Sequence, residues 1–167
     1  AIIAYQTAYL KTYFPHEFFS ASMTMDISNQ NKLSEFYEEI KRLNINIVRP
    51  DINKCFADFR SDGNNFYYAL GGIKSVGYEA VSNIIKERIQ NGKFKSINDF
   101  INRVNSKDIN KLQLEGLVKA GAFDNLNDNR QALFNSIPNF ILKSKNIFDN
   151  KVANQIDLFG SDEIKDD

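Results

Sequence analysis

Ile73-Lys74-Ser75-Val76-Gly77, inside the stretch ALGGIKSVGYEAVSNIIKER from Ala69 to Arg88, combines residue types and spacing that suit anion chemistry. An apolar residue, a two-residue turn, a second apolar residue and a glycine lead into a helical pattern. That pattern puts Val81, Ile84, Ile85 and Ile89 on one face. This is the layout of the turn and second helix of a helix-hairpin-helix. The first N–H groups of a helix lack intrahelical acceptors and lie at the positive end of its dipole, so such a turn can cradle a phosphate. Phosphate contacts orient a protein on nucleic acid without reading its sequence. Gly72, Lys74, Ser75 and Gly77 are the candidate contacts of the turn, with Lys74 as the side-chain phosphate ligand, and Lys86 is a further candidate along the helix. The nucleic-acid form of the motif commonly has Gly at both turn positions. Here the first is Ser75, and Ser enters positive φ less freely than Gly. The alternative for Gly77 is structural: it permits a tight interhelical turn.

A second constellation is Gln155-Ile156-Asp157-Leu158-Phe159. A Gln, two spacers and Leu-Phe is the layout of peptides that dock on bacterial sliding clamps. Two adjacent apolar anchors fill a pocket, and the Gln amide sets the register by hydrogen bonds. In a polar tail with no core to join, Leu158 and Phe159 are otherwise unexplained apolar surface.

The elements that must position these residues follow from periodicity. Ile2, Ile3, Gln6, Tyr9, Leu10 and Tyr13 recur at helical spacing, and Pro15 suits the first turn of a second helix. Asp26 to Asn29 is a break before a third helix carrying Leu33, Phe36, Tyr37, Ile40 and Leu43. Ile45, Ile47 and Val48 before Arg49-Pro50 predict a short extended segment. Phe56–Arg60 and Asn65–Ala69 flank Ser61-Asp62-Gly63-Asn64 and predict a β-hairpin. Phe66, Tyr67 and Tyr68 can stack bases, but alternating aromatics in a hairpin read first as packing. Gly92 is expected to end the helix begun near Tyr78, Ser96 to start the next, and Ser106 or Asp108 to cap a third. That third helix is expected to turn Ile109, Leu112, Leu117 and Val118 inward and to stop at Gly121. After a loop from Asp124 to Asn129, residues 130–149 read as helix, with Pro138 expected to kink or split it. From Lys151 the composition turns polar and acidic and predicts disorder in the unbound chain.

The 167 residues carry no net charge, but the balance is uneven. Between 73 and 119, Lys74, Lys86, Arg88, Lys93, Lys95, Arg103, Lys107, Lys111 and Lys119 face Glu79, Glu87, Asp99, Asp108 and Glu115, nine against five, or +4. Residues 157–167 hold Asp157, Asp162, Glu163, Asp166 and Asp167 against Lys165, or −4. A basic middle beside an acidic end fits a polyanion-facing module, and equally a mixed-charge surface. No apolar run spans a bilayer, and lone Cys55 fits a reducing cytoplasm without a disulfide framework. One His and one Cys, far apart, do not make a zinc set, and there is no nucleotide-binding glycine loop or paired-acid metal site. Ala1, opening directly into a helix, is expected of a chain excised from a larger protein.

Six stretches in one order, AYQTAYLKTYFPHEFFSA (4–21), RPDINKCFADF (49–59), YALGGIKSVG (68–77), KFKSINDFINRV (93–104), LEGLVKAGAFDNL (114–126) and QIDLFG (155–160), cover nearly the whole chain. Together they resemble the alpha subunit of bacterial DNA polymerase III, from the fingers through the helix-hairpin-helix to the clamp-binding motif. The resemblance implies a mostly α fold with a small β-hairpin. Residues 1–70 would be the end of the fingers, 71–150 a helix-hairpin-helix domain on primer-template duplex, and 151–167 a flexible tail that docks on the sliding clamp. The intact protein would be a replicative DNA-directed DNA polymerase using Mg²⁺ and working with other replicase subunits. Its catalytic carboxylates would lie in an upstream palm, so this segment alone is not expected to polymerise. The competing expectations are a free-standing helix-hairpin-helix protein of repair or DNA uptake, and a helical module with no nucleic-acid role.

Overall fold

The computed structural model describes the backbone of residues 1–160 and the side chains of residues 1–154. Three helices open the chain: α1 (Ile2–Tyr13), α2 (Pro15–Met25) and α3 (Gln30–Arg42). Pro15 takes the first turn of α2, where its missing N–H costs nothing. Asn29 caps α3 by accepting the Lys32 N–H at 3.2 Å. Asn44, at φ 55°, then lets the chain turn out of the helix in the left-handed region that Asn tolerates.

A three-stranded sheet follows, formed by β1 (Asn46–Val48), β2 (Arg60–Ser61) and β3 (Asn65–Tyr67). β2 and β3 form the expected hairpin but shorter, with Arg60 opposite Tyr67: residues 56–59 and 68–69 lie outside the strands, and Ser61, expected in the turn, belongs to β2. The addition is β1, which pairs in parallel with β3, Asn46 opposite Asn65, and makes β3 the central strand. Asp62 holds the hairpin turn. Its carboxylate accepts the N–H groups of Asn64 and Asn65 and the Tyr67 hydroxyl, which together hold its pKa down at about 2.

A single 3-10 turn, Leu70–Gly72, leads to α4 (Tyr78–Asn91), α5 (Ile97–Arg103), a second 3-10 turn at Ser106–Asp108, α6 (Lys111–Lys119) and α7 (Arg130–Gly160). Gly92 and Gly121 leave their helices at φ 83° and 80°. Two cores result. Phe19, Met23, Leu33, Ile40, Phe59, Phe66 and Ala69 join α2, α3 and the hairpin. The larger core centres on Leu70, Val81, Ile84, Phe94, Phe100, Leu117 and Phe123, and it also draws in Ile52, Cys55 and Ala57 from before residue 70.

Several expectations need correction. Ile89 and Leu112 are 68% and 62% exposed, because α4 and α6 each bury a narrower stripe than their apolar residues mark out. Asn110, not Ser106 or Asp108, caps α6 by accepting the Gln113 N–H at 2.9 Å, since Ser106–Asp108 is spent on its own 3-10 turn. Pro138 does not split α7. It is exposed, while Leu133 and Ile137 are buried and anchor the inner side of the helix. α7 also continues to Gly160, so residues 151–160 are helical rather than disordered. The expected disorder of 161–167 lies outside the described residues.

Candidate nucleic-acid interface

The turn from Ile73 to Gly77 is built from three directions. Beneath it, Gly72 is buried, with its N–H donated to the Ala69 carbonyl and its own carbonyl accepting Gln30 Nε2 at 3.1 Å. Of the candidate contacts, Gly72 is thus a packing position, while Lys74, Ser75, Gly77 and Lys86 are exposed. From one side comes Gln113 of α6, which is buried. Its Oε1 accepts the Gly77 N–H at 3.3 Å, and its Nε2 donates to the Asp108 carbonyl at 2.7 Å. From the other comes Gly116, where a Cβ would sit 2.8 Å from the Lys74 carbonyl oxygen and 2.9 Å from Val76 Cγ2. The turn therefore presses directly on bare α6 backbone.

Backbone conformation separates the two turn residues. Gly77 has φ −75°, which any residue adopts, whereas Ser75 has φ 68°. Ser75 thus takes the left-handed conformation for which Gly is the usual residue, at a cost on the order of 1 kcal/mol. Among the described residues, the N–H groups of Lys74, Ser75, Tyr78, Glu79 and Ala80 have no acceptor, and no side chain caps α4. Lys74 is exposed in the same turn. Glu79 adds one carboxylate in the first turn of α4, and the Tyr78 hydroxyl donates to Asp58 Oδ1 at 2.7 Å, a bond that raises the Tyr78 pKa. Unpaired N–H groups at a helix start, in the same turn as an exposed lysine, are the geometry and charge that anion binding requires.

The basic surface is smaller than the composition suggests. Arg88 is buried, with Nη1 donating to the carbonyls of Ile52 and Cys55 at 2.7 Å each and the guanidinium lying over the Phe56 ring. Arg103 is held by Glu87 and Asp99 at 3.0 and 3.1 Å. The remaining lysines of 73–119 are exposed. Gln113, Gly116 and the structural role of Arg88 were not read from the sequence. Gln113 and Gly116 lie some forty residues from the turn they support, and nothing in their local pattern marks them. For Gln155 to Phe159 the backbone is the end of α7, and the side chains lie outside the described residues.

Among the described residues no three His, Cys, Asp or Glu side chains come together in a way that could hold a metal ion. Among them also, no helix is long and apolar enough to cross a membrane.

The helix-hairpin-helix motif family matches residues 44–133, more than half of the chain, and the chain belongs to that family. Within it the relatives are specific. The chain is 45% identical over 166 residues to DNA polymerase III subunit alpha of Borreliella burgdorferi. It is 39% identical over 162 residues to that of Caulobacter vibrioides, and 41% over 168 residues to that of Campylobacter jejuni. These matches cover 97 to 99% of this chain but 14% of each relative, so the chain spans about a seventh of their length.

Proposed function

We propose that this chain is a segment of a replicative DNA-directed DNA polymerase that grips the primer-template duplex through the 73–77 turn and docks on the sliding clamp through Gln155–Phe159. In this reading it works in the cytoplasm beside other replicase subunits. The observation that carries the duplex contact is the run of unpaired N–H groups at the start of α4, next to Lys74, on a turn fixed by Gln113 and Gly116. Backbone donors cannot read bases, so the contact is independent of sequence and sensitive to salt. Mg²⁺-dependent nucleotidyl transfer belongs to the rest of the polymerase. The described residues offer no acidic cluster that fits the ion, and no catalytic step is assigned to them.

Lys74→Glu tests the duplex contact. The substitution weakens duplex binding in fluorescence anisotropy and lowers the slope of log K against log salt by about one. Unchanged affinity and slope would remove the turn from the interface. The clamp contact is tested separately. Changing Leu158 and Phe159 together to Ala abolishes calorimetric binding to a bacterial sliding clamp, while an unchanged affinity assigns the tail another role.

A further inference from the structure

We propose that the cleft between α3 and β1 binds one unpaired nucleotide of a single DNA strand, its base against Tyr37 and Tyr68 and its phosphate on Arg49. The cleft has a volume of about 430 Å³ and an apolar floor of Leu33, Ile47 and Pro50. That volume is within the range of small-ligand sites, and apolar walls with a few placed polar groups are their usual chemistry.

The polar groups on the rim separate into those already engaged and those free. Gln30 Nε2 is donated to the Gly72 carbonyl, and Ser34 Oγ to the Gln30 carbonyl at 2.9 Å. Glu38, the carboxylate on the rim, is bridged to Lys41 at 3.3 Å. What is left are the phenols of Tyr37 and Tyr68 and the guanidinium of Arg49, none of which has a hydrogen-bond or ion-pair partner among the described residues; the Lys41 ammonium lies over one face of the Tyr37 ring at 5.3 Å, and Phe59 packs edge-to-face with Tyr68 at 5.0 Å. Tyr68 is half-buried, and both burial and the nearby Tyr37 push its pKa up, so it remains a neutral donor.

Two aromatic rings on an apolar floor with one unpaired guanidinium are complementary to a flat ring attached to one negative charge. That is a base with its phosphodiester. Paired bases are stacked inside the duplex and cannot enter, so the occupant is unpaired. Arg49 is the cation that lines the cleft, Lys41 beside Tyr37 being bridged to Glu38, and one free cation with no acid cluster for a metal among the described residues suits one phosphodiester better than a free nucleoside triphosphate. The site is independent of the duplex reading. It also adjoins the hairpin, because Gln30 belongs to the cleft and bonds the residue that enters the 73–77 turn.

The test uses the full chain and a labelled strand of about twelve thymidines, the same strand with abasic sites, and a duplex. Arg49→Gln, at an exposed position, and Tyr37→Leu each weaken single-strand binding by about tenfold and leave the duplex unchanged. The abasic strand binds the unaltered protein as weakly as thymidine strand binds Tyr37→Leu. Lys74→Glu leaves the thymidine preference intact, which separates this site from the hairpin. Equal affinity for thymidine and abasic strands, an equal loss on duplex, or no loss with Arg49→Gln overturns the proposal. So does displacement by thymidine monophosphate at concentrations that match the strand, which would make the cleft a free-nucleotide site. A far-UV spectrum of Tyr37→Leu matching the parent keeps its loss of binding attributable to the cleft.

Discussion

Gly116→Ala tests whether the hairpin turn is held by α6 or merely adjoins it, because two effects of opposite sign meet there. Alanine is a better helix former than glycine by about 1 kcal/mol, and Gly116 lies in the middle of α6, so propensity alone predicts stabilisation. Packing predicts the reverse. The added Cβ would stand 2.8 Å from the Lys74 carbonyl oxygen and 2.9 Å from Val76 Cγ2, and the first of these is backbone, with no rotamer to escape into. Either α6 or the turn must move by about half an ångström, and overpacking of this kind costs about 1–3 kcal/mol. With the propensity gain subtracted, the net expectation lies between no change and a loss of about 2 kcal/mol, or up to roughly 4–8 °C in Tm for a chain of this size. Urea unfolding followed by far-UV circular dichroism measures it, with an unchanged m-value confirming that the unfolded state is the same. A shift of the turn should also weaken duplex binding beyond the loss of stability, since the donors of α4 start from it. Stabilisation by about 0.5–1 kcal/mol with duplex affinity intact would refute the reasoning and return Gly116 to an ordinary helix position.

Two further substitutions probe the same region. Ser75→Gly relieves the positive φ of 68° but adds freedom to the unfolded chain, so stability rises by at most about 1 kcal/mol and does not fall; a clear destabilisation in urea melts would mean the Ser75 side chain is needed. Arg88→Met leaves the carbonyls of Ile52 and Cys55 without their shared donor and costs about 2–4 kcal/mol in the same assay; a cost below about 0.5 kcal/mol would mean that Phe56 packing, not the hydrogen bonds, holds this joint.

What could be read in advance, and what could not, divides along the range of the interactions. α3, α4 and the β2–β3 hairpin follow from spacing, caps and turn residues within a dozen positions, and those were legible. The parallel pairing of β1 with β3 was not, because a three-residue strand shows its partner only once α3 and the hairpin have packed. Ile89 and Leu112 carry the right period for burial and are nonetheless exposed, since periodicity marks an apolar face without stating how much of it a neighbour covers. Arg88 was counted with the surface charge. Only the fold reveals that two carbonyls from residues 52–55 converge on it. The helix through residues 151–160 overrode a polar composition that pointed to disorder, because those residues extend a helix already anchored by Leu133 and Ile137.

The candidate site shows the same division inside five residues. The motif pattern singles out Ser75 as the weak position, because glycine is common there and serine enters positive φ less freely. The backbone places the left-handed conformation at Ser75 itself, while Gly77 is ordinary. A serine can be kept there only if the surroundings over-determine the turn. The over-determining contacts are on α6, where the Gln113 amide accepts from Gly77 and the bare Gly116 backbone receives the Lys74 carbonyl. The proposed phosphate cradle is thus a property of two helices from different parts of the sequence. Its donors come from α4 and its shape from α6, and a change on α6 that never approaches a ligand should register as a change in the affinity of the turn.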